Sequence, residues 1–158
     1  MISISGIMLD LNYRILFSSE MVKTFTVLVM EDNRYYNTLL TRTLLNTCSL
    51  IEEKFNCSVR LLSFTDPGEC LLKIRSEDLN KGNIIAFIDY YTGDGINGEH
   101  ISKLIKKLYP EAFVVLLSQS GEPGRNNSRM HDYFVIKDTH APALCCLYLE
   151  QFIDNKFS

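Results

Sequence analysis

The sequence has no apolar run near the roughly twenty residues that a membrane span needs; a run such as Ala112 to Leu117 (AFVVLL) is six residues long, so no membrane insertion is expected. Its start lacks a basic n-region, and Asp10 interrupts the mildly apolar stretch Met1 to Glu20, so a secretory signal is not expected either. Positive charge is not in excess: 16 Lys and Arg against 19 Asp and Glu leave a net charge of −3. That balance argues against a nucleic-acid-wrapping protein, and Arg125 and Arg129 are too few to form a patch. The five cysteines, Cys48, Cys57, Cys70, Cys145 and Cys146, contain no CxxC pair, and none has a His at zinc-finger spacing. They read as reduced, mostly buried thiols, which places the protein in a reducing cytoplasm. Internal repeats and low-complexity tracts are also missing.

What remains is 158 residues, 46% hydrophobic and 22% charged, enough for one globular domain. A chain of this length buries about 68 to 70% of its unfolded surface and needs no staples. Residues 1–23 read as an extension or a misassigned start, because a sharper pattern opens only afterwards, and 24–157 as the domain. Phe25 to Met30 (FTVLVM) is a β-rich run that ends in Glu31-Asp32-Asn33. A helical stripe follows at Tyr36, Leu39, Leu40, Leu44, Cys48, Ile51 and Phe55. Val59 to Phe64 is a second strand, and Thr65-Asp66-Pro67 supplies a cap for a short helix reaching about Arg75.

After a polar loop, Ile84 to Ile88 (IIAFI) is uniformly apolar, as in a strand covered on both faces, and it ends in Asp89. Glycines at 93, 95 and 98 form a loop before a helix marked by Ile101, Leu104, Ile105 and Leu108. Ala112 to Leu117 is the fourth strand, ending in Ser118, and Tyr133 to Ile136 the fifth, ending in Lys137. Between them Ser120 to Ser128 is rich in Gly, Pro and Asn, which shortens any helix there to Gly121 to Arg129. Thr139 is placed to cap a last helix, with Leu144, Cys145, Tyr148, Leu149 and Phe152 on one face. Strands alternating with helices over short connections imply right-handed crossovers and a parallel sheet between two helical layers.

In such a sheet ligands sit beyond the carboxyl ends of the strands. Those ends deliver Glu31, Asp32, Asp89, Ser118 and Lys137. Carboxylates brought together repel by several kcal/mol at an effective dielectric of about 20, so they need a cation. An all-oxygen set prefers a hard ion, and Mg²⁺ suits one that pairs with phosphate. Asp89 can then serve as a carboxylate nucleophile toward a phosphoryl group, with Lys137 and Ser118 on its oxygens. Taken singly, Asp32 is equally a helix cap, Asp89 a turn residue, Ser118 an ordinary strand end and Lys137 a solvated charge; their joint order along the chain carries the signal. His100, at a helix start, and His131, before the fifth strand, read as solvent-facing.

Over Thr24 to Phe157 the chain resembles the receiver domain of two-component response regulators, through VLVMEDN, IIAFIDYYTGDGINGEHISKLIK, VVLLSQS and YFVIKD. The resemblance implies a flavodoxin-like doubly wound sheet of strand order 2-1-3-4-5. Asp89 is then the phospho-acceptor, Asp32 a direct Mg²⁺ ligand, Glu31 an indirect one, and the backbone carbonyl of Tyr91 a further ligand. Ser118 is the switch hydroxyl, Lys137 the phosphate-binding lysine and Phe134 the switch aromatic. A sensor histidine kinase or histidine phosphotransfer protein is the implied donor, and a downstream protein the target. With only a few residues after the last helix, the output is expected to be a protein contact or onward phosphotransfer, not enzymatic turnover.

The chain departs from the family pattern in four places: a longer loop between Asp89 and Gly98, Gln119 after the hydroxyl, bulky Tyr90 and Tyr91, and Asp138 after the lysine. Tyr91 and Gln119 screen the acceptor from water, which predicts slow autodephosphorylation. Two other readings are a degenerate receiver that binds partners without phosphorylation and an aspartate-nucleophile phosphatase. The second normally requires a carboxylate two residues past the nucleophile, where this chain has Tyr91.

Overall fold

The computed structural model describes residues 21–76, 78–79, 83–92, 95–121 and 130–158. Most of the extension at 1–23 and all but the first residue of the helix expected at Gly121 to Arg129 lie outside these residues. The elements are β1 (Thr24–Met30), α1 (Arg34–Phe55), β2 (Ser58–Phe64), α2 (Pro67–Arg75), β3 (Ile84–Asp89), α3 (Gly98–Leu108), β4 (Phe113–Ser118), β5 (Tyr133–Ile136) and α4 (Ala141–Phe157). The strands form a five-stranded parallel sheet in the order β2-β1-β3-β4-β5, the expected doubly wound topology.

The period of two along each strand sends alternate side chains to opposite faces. Phe25, Val27, Val29, Phe87, Val115 and Val135 meet Leu40, Leu44, Cys48, Cys145, Leu149 and Ile153 from α1 and α4. Leu28, Met30, Ala86, Ile88, Val114 and Leu116 meet Cys70, Ile74, Ile101 and Ile105 from α2 and α3. Every residue of β3 is buried, as its uninterrupted apolar run implies. Cys48, Cys57, Cys70 and Cys145 are buried free thiols and Cys146 is half-buried; burial foremost raises Cys48, Cys70 and Cys145 to about 12.

Helix ends explain the local boundaries. The Asp66 carboxylate accepts from Glu69 N (2.8 Å) with Pro67 in the first turn, as the sequence predicts. At α1 the cap is Asn33, whose Oδ1 accepts from Tyr36 N at 2.9 Å, and this leaves Asp32 free of capping duty. Thr139 does not cap α4: His140 holds the cap position with no side-chain bond. Instead Asp138 Oδ1 accepts from His140 N (2.8 Å), since an aspartate can turn the chain by bonding the backbone two residues on.

Two inward assignments also need correction. Leu39 and Leu144 are exposed, because each lies beside the buried stripe of its helix and not on it. The inner position in the first turn of α1 belongs to Asn37. Its Nδ2 donates to Glu31 O (3.2 Å) and Phe64 O (3.0 Å), and its Oδ1 accepts from Ser63 Oγ (2.8 Å) and Thr41 Oγ1 (3.3 Å). A buried amide is tolerated where its hydrogen bonds are made, and here they tie α1 to the ends of β1 and β2.

Candidate functional site

Register brings the polar strand ends together. Met30 pairs with Ile88 and Asp89 with Leu117, so Glu31 and Asp89 leave neighbouring strands side by side. Ser118 pairs with Ile136, and the next backbone bond runs from Lys137 N to Ser118 O at 2.8 Å. Glu31 is fully buried and Asp89 is 4% exposed, while Asp32 is open to solvent. Oxygens of Glu31, Asp32 and Asp89 lie within 4.8 Å of one another.

The Lys137 ammonium bridges two of them, at 2.5 Å from Glu31 Oε2 and 2.9 Å from Asp89 Oδ1, with its side chain only 7% exposed. Glu31 Oε1 accepts from Asn33 N at 3.0 Å. Burial pushes the Asp89 carboxyl up to about 7 against the pull of Lys137, with Glu31 and Asp32 adding to the rise. Burial lowers Lys137, but the Glu31 and Asp89 carboxylates more than offset it, and its net direction is upward. One ammonium thus faces three carboxyl groups, and the surplus negative charge suits a cation.

The donor set fits a hard one. Two ligands on one Mg²⁺ are at most about 4.2 Å apart, twice the usual bond length, so this set closes on such an ion with a small contraction or a water in one arm. Glu31, Asp32, Asn33, Asp89, Tyr91, Gln119 and Lys137 line a cleft of about 270 Å³ above the strand ends.

Beneath Lys137 lies Tyr36, which the sequence places in the helical stripe near the active edge without linking it to the lysine. The ammonium sits 5.1 Å from the centroid of the Tyr36 ring. Burial raises the Tyr36 hydroxyl to about 12, with Cys145, Glu31, Asp138 and Asp89 adding to it. Its sequence signals are its place in the helical stripe and its position on the first turn of α1, four residues past Asp32.

No family model and no curated protein matches the sequence. Solved structures do match. The response regulator TrrA from Thermotoga maritima, in complex with Mg²⁺ and BeF, is 20% identical over 81% of this chain and 98% of its own, with a TM-score of 0.60. A response regulator receiver protein from Sinorhizobium medicae is 12% identical over 83% of this chain and 95% of its own, at 0.62. A Burkholderia pseudomallei response regulator, with a phosphorylated aspartic acid, a calcium ion and citrate, is 16% identical over 84% and 71%, at 0.54. The chain has the receiver fold of response regulators.

On the receiver fold the remaining expected residues are placed as follows. Ser118 is buried, its Oγ accepts from Ser120 N (3.3 Å), and Gln119 rather than Ser118 lines the cleft. Phe134 is half-buried against the core that contains Ile88 and Leu116. The Tyr91 side chain is 61% exposed at the cleft and its N donates to Asp89 Oδ1 (3.4 Å). The loop after the acceptor closes on itself through Gly98 N to Tyr90 O (2.8 Å) and a bridge between Tyr91 and Asn97. His100 is exposed and caps α3 reciprocally with Asn97. His131 is half-buried; its Nδ1 is shielded and has no hydrogen-bond partner among the described residues. No described helix is long and apolar enough to cross a membrane.

Proposed function

We propose that the protein is a phosphorylatable receiver that takes a phosphoryl group on Asp89 and changes its protein contacts as a result. The observation that carries this reading is the buried Lys137 ammonium held against both Asp89 and Glu31, with Asp32 beside them. An Asp89 oxygen attacks the donor phosphorus, the bond to the donor's histidine nitrogen or acyl oxygen breaks, and the donor keeps the electron pair. Lys137 is in contact with the nucleophile, so its charge is in place as negative charge gathers on the phosphoryl oxygens. Glu31, Asp32 and Asp89, with the Tyr91 carbonyl, would hold Mg²⁺, which neutralises charge on the phosphoryl group when bound.

Ser118 and Phe134 are the residues whose rearrangement would report the modification, by biasing a two-state equilibrium of the loops after β3 and β4. The donor class is a histidine kinase or a histidine phosphotransfer protein, and the product is read by a further protein. Tyr91, where a phosphatase of aspartate type would carry its acid, speaks against the hydrolytic alternative.

Incubation with acetyl phosphate and Mg²⁺ is expected to add about 80 daltons to the intact mass of the wild type and nothing to Asp89→Asn. Equal labelling of both would move the acceptor elsewhere. Because Tyr91 and Gln119 line the cleft, the double variant Tyr91→Asn, Gln119→Ala is expected to lose its phosphoryl group at least severalfold faster, as water gains access. An unchanged lifetime, measured by the decay of the added mass, contradicts the screening role.

A further inference from the structure

We propose that Tyr36 is a positioning residue for Lys137, its ring forming a third support that keeps the ammonium aimed at Asp89 when the carboxylates turn to a cation. The proposal rests on the receiver reading of Asp89 given above. Lysine is a flexible four-carbon stem ending in a compact charge, so its direction must be set by what surrounds the ammonium. Two of the surroundings here are carboxylates, Glu31 and Asp89, at 2.5 and 2.9 Å. Both belong to the group suited to a divalent ion. An ion drawn to them competes with Lys137 for the charge of the same two carboxylates, and the hold on the ammonium weakens at the moment the site is charged.

The Tyr36 ring is not subject to that competition. It lies 5.1 Å from the ammonium, inside the distance at which a cation is attracted to an aromatic face, and the attraction is largest where water is excluded. Lys137 is 7% exposed. The ring is fixed from behind, since Tyr36 packs against the core shared by α1 and α4.

The hydroxyl has no part in this. It is shielded from solvent and has no hydrogen-bond partner among the described residues, so what Tyr36 offers the site is its aromatic face. Phe at this position should therefore serve, and an aliphatic side chain of similar bulk should not.

The test compares the wild type with Tyr36→Phe, Tyr36→Leu and Tyr36→Met, and has two readouts. In carbon-proton correlation spectra the Lys137 ε-methylene resonance, assigned with Lys137→Arg, is expected upfield of ordinary lysines in the wild type and Tyr36→Phe, and at the ordinary position in the Leu and Met variants. Labelling by acetyl phosphate at saturating Mg²⁺ is expected to slow about tenfold in the Leu and Met variants, between the values for an exposed and a desolvated cation over a ring, and to be rescued by Phe. Mg²⁺ affinity, by calorimetry, stays within about threefold in all four, which separates loss of Lys137 aim from loss of the fold.

Wild-type rates in a folded Leu or Met variant, or a wild-type ε-methylene at the ordinary position, would overturn the assignment. If the wild type itself takes no label, phosphoryl acceptance fails, and the resonance alone decides whether Tyr36 holds Lys137.

Discussion

Gly98→Ala is expected to lower the melting temperature by about 6 to 12 °C, equivalent to roughly 3 kcal/mol for a chain of this size. A Cβ built at Gly98 falls 2.5 Å from Asp89 O, 2.9 Å from Tyr90 Cα and 3.1 Å from Asp89 C. All three are backbone atoms, which cannot swing aside as a side-chain tip would. Gly98 opens α3, where alanine would ordinarily be favoured by up to about 1 kcal/mol in helix propensity. The two effects have opposite sign, and the steric one wins because relief requires the strand end carrying Asp89 to shift. Acceptance of phosphate should fall with stability, since catalytic geometry tolerates little displacement. Thermal melts of Gly98→Ala and Gly98→Ser settle the matter: a melting temperature equal to or above wild type would mean that the loop opens freely at this point.

Asp89→Asn is expected to melt at least 5 °C above the wild type at pH 8 without divalent cations, a gap of the order of a few kcal/mol that closes toward pH 4. Asp89 is raised from 3.8 to about 7, chiefly by burial, so the folded state holds its proton more tightly than the unfolded chain does. Below the unfolded value both states are protonated and the group costs nothing. As pH climbs from about 4 to about 7 the folded protein must give up that proton in a buried acidic setting, and stability is lost across this window. Asparagine removes the charge and keeps the shape, while Lys137 retains Glu31 at 2.5 Å. Added Mg²⁺ should raise the wild-type melting temperature more than that of the variant. A gap that does not vary between pH 5 and 8 would show that desolvation of Asp89 is not what limits stability.

Much of this arrangement is legible in the residues themselves. The runs in β1, β3 and β4 end abruptly in polar residues, and a parallel sheet places all such ends on one rim. Glu31, Asp32, Asp89 and Lys137 meet there for that reason. Asp66-Pro67 announces α2 because cap chemistry is local.

What was not legible depends on contacts between elements. Asn37 is polar, so a reading by apolar period passes over it, yet its four hydrogen bonds with Glu31, Phe64, Ser63 and Thr41 make it an inner residue. Leu39 and Leu144 mislead in the other direction, being apolar but beside the buried stripe. Tyr36 could be placed on a helix but not under Lys137, because that meeting is set by how α1 lies across the sheet. Thr139 was not replaced as a cap: α4 starts without a side-chain cap, and Asp138 only turns the chain ahead of it by accepting from His140 N.

The sheet is also a partition. Side chains facing α1 and α4 form one packed group and those facing α2 and α3 another, with the strand backbones standing between them like a wall. A substitution buried in one compartment is therefore felt first by the two helices on its own side, and only indirectly by the pair across the sheet.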